Sequence, residues 1–218
     1  MTPRKLSSQL SRPALLALVA TVLLSGCSAL SVLSGATTPL NAFDLSAPAN
    51  PPVARSSSSR QIVVELPTAP GALNTDRILI RPHPLQAAYL PDGQWAEETP
   101  TMVQTLLVRT LEDSNAFRYV GRRPLGASGD YALVTDLTDF QAEAGSAGNS
   151  ATIRLRLTAR LVREDDAAIL ASRSFTASAE VASTETLALV EGFNLANQSL
   201  LADISTWVLG TLNISVTR

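Results

Sequence analysis

Apolar residues recur along this chain in three patterns, and each predicts a different element. The clearest lies in residues 150–163, where Ile153, Leu155, Leu157, Ala159 and Leu161 alternate with Thr152, Arg154, Arg156, Thr158 and Arg160. Period two over that length sets the two groups on opposite faces of a strand, one buried and one wet. Glu164-Asp165-Asp166 turns the chain, and residues 169–181 run back beside it. Asp130 to Ala142 has mixed alternation and reads as the preceding strand, so the three form an antiparallel meander. Shorter strands are predicted at 62–66, 77–81, 85–90 and 117–120, punctuated by Pro67, Pro70-Gly71, Pro82 and a turn at Pro91-Asp92-Gly93.

A spacing of three and four marks two helices. In the first, from Trp95 to Asp113, Val103, Leu106, Leu107, Thr110 and Leu111 share a side, and Glu97, Glu98, Gln104, Arg109 and Glu112 fall largely elsewhere. Pro100 belongs at its true start or at a kink in its first turn. In the second, from Glu185 to Thr211, the shared face is Leu189, Phe193, Ala196, Leu200, Ile204, Trp207 and Val208, with Thr184 as N-cap. Trp95 and Trp207 read as core residues on these helical faces. The order β-β-β-α-β-β-β-β-α predicts an α+β domain, one mostly antiparallel sheet with two helices packed on one face.

The third pattern is an unbroken apolar run, Ala14 to Leu24, eleven residues preceded by Arg4, Lys5 and Arg12. It is shorter than the ~20 residues of a membrane span and fits the apolar core of a secretory signal. It ends in Leu24-Ser25-Gly26-Cys27, where small residues allow extended binding at a signal peptidase and the next thiol accepts diacylglycerol. Cys27 is the only cysteine, so an exported chain would otherwise carry an unpaired thiol. The reading is a bacterial lipoprotein, cleaved before Cys27 and acylated there. Ser28 follows, not the aspartate of inner-membrane retention, which points to the inner leaflet of the outer membrane. Residues 28–60, rich in Ser, Ala, Pro and Thr, read as a flexible tether of r.m.s. span ~30 Å. The expected organisation is a signal at 1–26, a lipidated tether at 27–60 and a periplasmic domain at 61–218.

Composition narrows the function. Without the signal the chain holds 14 arginines, no lysine and 19 acids, a formal charge of −5, against a nucleic-acid partner. His83, the only histidine, lies between two prolines, so no triad, zinc site or thiol nucleophile is evident. Asp136 and Asp139, three apart on a strand, are expected on opposite faces and cannot pair as acid and base. Neither glycine-rich stretch, 126–129 or 145–148, has the flanks of a phosphate loop. No catalytic residue, cofactor or metal is therefore assigned. Arg154, Arg156 and Arg160 form a candidate face for an acidic partner or anionic headgroups, against the alternative of a solvated sheet face.

Several segments in order resemble the ABC-type transport auxiliary lipoproteins. They are the lipobox, Thr75-Asp76-Arg77-Ile78 entering a strand, Tyr89 to Trp95 leading into a helix, Phe117 to Val120, and Tyr131-Ala132-Leu133 running on to Phe140. Phe193-Asn194-Leu195-Ala196 and Trp207 follow in the last helix. The likeness runs from about Ile62 through the rest of the chain, and Ala42-Phe43-Asp44-Leu45 partly matches a strand the family often has after its anchor. It implies a fold similar to the N-terminal domain of TolB. It also implies a non-catalytic outer-membrane lipoprotein acting in the periplasm beside an MCE-domain protein, a permease and an ATPase that move phospholipids or other lipids. A structural or assembly lipoprotein of the envelope is the alternative function.

Overall fold

The computed structural model describes residues 39–126, 129–145 and 149–217; the predicted signal and Cys27 lie outside them. The compact unit spans Leu40–Arg218, so the domain begins some twenty residues before the predicted boundary at Gln61. Its strands are β1 (Asn41–Phe43), β2 (Gln61–Val64), β3 (Arg77–His83), β4 (Gln86–Trp95), β5 (Tyr119–Gly121), β6 (Tyr131–Ala144), β7 (Ala151–Arg163) and β8 (Ala168–Val181). The helices are α1 (Thr99–Asp113) and α2 (Thr186–Thr211).

The meander is present as predicted: β6, β7 and β8 pair antiparallel along almost their whole lengths. Outside the meander, β3 and β4 also pair antiparallel, but every other pairing is parallel. The other edge of β6 is shared by β2, parallel at Ile62–Val64, and β3, parallel at Ile80–Arg81. Beyond them β5 pairs parallel with β2, and β1 parallel with β4. The expected mostly antiparallel sheet is therefore a mixed one of eight strands. Two short strands can divide one edge of β6 because it is 14 residues long and each partner meets only one end.

Alternation in β7 works as the pattern requires. Ile153, Leu155, Leu157, Ala159 and Leu161 are all fully buried, and α2 lies across β7 and β8. Gly192 allows close approach of that helix: a Cβ there would lie 2.5 Å from Val181 Cγ2 and 3.0 Å from Ile153 Cγ1. One continuous core joins the sheet to both helices. At its centre Trp95, Phe140 and Phe193, from β4, β6 and α2, meet pairwise with ring centroids 5.2–6.0 Å apart. Such contacts add about 0.5–1.5 kcal/mol per pair beyond the area they bury.

Local expectations needed correction where tertiary partners intervene. Trp95 ends a strand and does not open a helix; its N–H donates to Asp76 O. Pro91-Asp92-Gly93 is not a turn but lies within β4, where a register shift against β3 absorbs the proline. Thr184 is not the cap of α2: Glu185 holds that position without a side-chain cap, and its N–H donates to Ser183 Oγ. Gln104, expected on the polar side of α1, is buried; its Nε2 donates to Val64 O at 2.9 Å while its Oε1 accepts from Arg122 Nε.

The largest correction concerns residues 40–60, read from composition as tether. Asn41–Phe43 join the sheet beside Gly93–Trp95, and Leu45 is buried. Ser46 is held to α2 through Asn194 and Gln198. Ala54 N–H donates to Ser114 O, Arg55 N–H to Ser215 O and Ser58 N–H to Ala116 O. This segment straps the ends of both helices. Its serines and prolines look unstructured because its backbone groups find partners only in distant parts of the chain.

Candidate functional site

Arg154, Arg156 and Arg160 project from the solvent face of β7, with side chains 46, 50 and 37 % exposed. Period two aligned them, as the sequence required. Each also has a carboxylate partner on β6: Arg154 Nε lies 2.9 Å from Glu143, Arg156 Nε 3.1 Å from Asp139, and Arg160 pairs with Asp136. Farther along, Arg163 pairs with Asp166 at 3.3 Å. This face is a ladder of alternating charge and not a bare cationic strip.

A bulge makes the ladder. Between Leu137 and Asp139 the β6 chain advances two residues while β7 advances one, from Leu157 to Arg156. Thr138 is the extra residue, and its Oγ1 donates to Arg156 O at 3.3 Å. The bulge reverses the alternation, so Asp136 and Asp139, expected on opposite faces, point to the same one. They do not form an acid–base pair, because each is committed to its own arginine.

The pairs hold carboxylates in their charged form. Hydrogen bonds from Thr68 and then Arg160 lower the Asp136 pKa below its ordinary 3.8. The hydrogen bond from Arg154 lowers Glu143 below its ordinary 4.5. A depressed native pKa contributes stability above the unfolded value, and that contribution disappears as pH falls through the native one. The melting temperature is therefore expected to drop as pH goes below about 4.5, by an amount that the Asp136→Asn, Glu143→Gln double variant reduces. Half-exposed pairs of this kind contribute about 0.2–1 kcal/mol each. Thermal melts from pH 7 to pH 3 test this, and identical slopes for variant and parent would refute it.

Other residues singled out in the sequence do not come together. His83 ends β3 at the exposed hairpin tip, where its Nδ1 accepts from Leu85 N–H. Glu164 accepts from Gly129 N–H, apart from the Arg163 pairings of Asp165 and Asp166. Trp207 is half-buried, with its ring 5.6 Å from Phe175. Cys27 lies outside the described residues. Among the described residues, no helix is long and apolar enough to cross a membrane.

Known proteins share this architecture. The chain is similar to protein XCC0632 from Xanthomonas campestris, 27% identical at a TM-score of 0.70, over 80% of this chain and 97% of that one. An uncharacterized protein of known structure matches at 16% identity and a TM-score of 0.57, over 76% of this chain and 99% of that one, a likeness of fold alone. The uncharacterized protein bll6063 from Bradyrhizobium diazoefficiens is 26% identical over 171 residues, 77% of this chain and 44% of that protein. The chain thus spans less than half of the length of this relative. The family model for the ABC-type transport auxiliary lipoprotein component matches residues 43–205. That match begins inside β1 and ends in α2, so it takes in the strap together with the sheet. The chain belongs to the ABC-type transport auxiliary lipoprotein components.

Proposed function

We propose that this protein is the membrane-anchored, non-catalytic component of an ABC transport system that moves phospholipids or other lipids between the inner and outer membranes. Its partners in this reading are an MCE-domain protein, a permease and an ATPase. The family match across the folded unit carries the proposal. The sequence adds a lipobox at Leu24–Cys27 and has no phosphate loop of its own. Acylated Cys27, followed by Ser28, would hold the protein at the periplasmic face of the outer membrane.

Folding of the strap changes the geometry of that anchor. Only 13 chain steps separate Cys27 from Leu40, where the compact unit starts. At 3.3–3.6 Å per residue the domain cannot stand more than about 45 Å along the chain from its lipid. The paired face around Arg154, Arg156 and Arg160 is the proposed contact with a protein subunit of the transporter.

The test is an affinity pull-down of the tagged full-length protein from gently solubilised, crosslinked membranes, read for proteins and lipids together. Recovery of an MCE-domain protein with a permease and an ATPase is expected. Changing Arg154, Arg156 and Arg160 together to Glu should reduce that recovery at least roughly tenfold, the scale of losing one or two buried charge-assisted contacts. Normal recovery by a well-folded triple variant would remove the face from the proposal. Recovery of outer-membrane assembly or peptidoglycan-associated proteins alone would replace transport with scaffolding.

A further inference from the structure

A cavity of about 190 Å³ opens where the ends of β6 and β7 meet the start of α2. Its floor is formed by Leu90, Ala142, Ala151 and Leu189, all buried. The hollow arises from side-chain size. The core face of β6 carries Leu133, Leu137 and Phe140 before it reaches Ala142, and β7 starts with Ala151 before Ile153 and Leu155. Ala144 pairs with Ala151, and Ala142 with Ile153, so small side chains gather where the strands elsewhere place large ones. Aliphatic cavities of ~150 Å³ stay dry and accept a hydrocarbon guest. This one has room for a segment of one hydrocarbon chain and not for two whole chains.

The opening is charged on one side. Arg81 and Glu143 both border it. Glu143 already accepts from Arg154 Nε at 2.9 Å and from Gln141 Nε2 at 3.1 Å. Asp139, nearby on the same face, is held by Arg156. Among the described residues Arg81 has no carboxylate within ion-pairing distance. Glu143 makes its direct ion pair with Arg154, whose hydrogen bond is the main cause of its lowered pKa; Arg81, opposite Glu143 in the β3–β6 register, helps to lower it through space. Two arginines and one glutamate thus leave a net positive entrance to the apolar slot.

We propose that this cavity binds a segment of one acyl chain of an anionic phospholipid, whose phosphate pairs with Arg81. The identity of the ligand rests on the lipid-transport reading above; the apolar slot and the net positive charge at its entrance stand without it. An acyl chain suits the floor better than a peptide, because a peptide backbone would need hydrogen-bond partners that these aliphatic side chains do not offer. A site of this size grips a lipid by part of one chain and does not shield a whole lipid from water.

The test places full-length acylated protein in phosphatidylcholine vesicles that contain a minor fraction of phosphatidylglycerol with a diazirine in one acyl chain. After irradiation, label is expected on the peptides bearing Ala142, Ala151 or Leu189. Ala142→Leu fills the slot and should lower labelling roughly tenfold, the equivalent of about two methylene contacts; Ala151→Val serves if that variant does not fold. Arg81→Gln should lower phosphatidylglycerol labelling roughly three- to tenfold and lower labelling by a diazirine phosphatidylcholine, whose phosphate charge is offset by choline, by less. Label confined to other surfaces, label indifferent to cavity filling in a folded variant, or capture of a protein segment at the floor would each overturn the site. The vesicle assay contains no transporter. Failed labelling with successful transporter recovery therefore overturns the site alone, and labelling without transporter recovery overturns the transport reading alone.

Discussion

Phe193→Ala is expected to lower the melting temperature by roughly 6–20 °C, from a loss of about 3–5 kcal/mol at 2–4 °C per kcal/mol for a domain of this size. Phe193 is fully buried on α2, and its ring meets Trp95 edge-on at 5.2 Å and Phe140 in a stack at 5.4 Å. Truncation removes contacts to two different strands at once and leaves a void that close-packed neighbours fill only in part. Such a loss is a large fraction of the 5–15 kcal/mol that holds a typical domain together. Leu195→Ala, two residues on and 67 % exposed, is the control and should change stability by no more than about 0.5 kcal/mol. A melting temperature for the Phe193 variant within 2 °C of the parent, on the same ~2–4 °C per kcal/mol scale, would show that the aromatic cluster does not pin α2 to the sheet. A double-mutant cycle with Trp95→Ala should return a coupling of about 0.5–1.5 kcal/mol.

Cys27→Ala should abolish acylation completely and keep residues 1–26 on the chain, since cleavage of a lipoprotein signal follows modification of the cysteine. Intact-mass measurement of the parent should show multiple acyl chains and no signal; the variant should show the precursor mass alone. Two or more acyl chains hold a protein on a bilayer stably, whereas one chain does so only marginally. The parent should therefore stay with membranes in high salt, and the same domain behind a non-lipoprotein signal should appear in the soluble periplasm. That released domain should melt like the parent, because the compact unit starts at Leu40, after the anchor. Ser28→Asp should move the protein from outer-membrane to inner-membrane density. A parent chain without acyl mass would end the lipoprotein reading, and an unmoved Ser28 variant would end the outer-membrane reading.

Legibility in the sequence followed the range of the interactions concerned. The meander and both helices were readable because each repeats its own period over ten or more residues, and burial of one face leaves little freedom of register. The alignment of Arg154, Arg156 and Arg160 follows from that same period. Their carboxylate partners were not readable, since one inserted residue at Thr138 reverses the alternation of β6 and brings Asp136 and Asp139 to one face. Nor was the cavity: Ala142 and Ala151 are ordinary strand residues until pairing sets β6 and β7 side by side under α2. The spacing set Trp95 on a helical face, and pairing with Phe43 places it at the end of β4 instead.

By itself, then, the sequence determined the long strands and the two helices, and it offered an apolar run ending at a single cysteine as a candidate export signal. Each of these is written in contiguous residues as a period, a run or a short motif. Tertiary structure alone decided the parallel pairings around β6, the strap at 40–60, the charge ladder and the hollow at the end of the sheet. These depend on hydrogen bonds and contacts between residues far apart in the chain. Local propensity carries no information about such partners until the loops have closed.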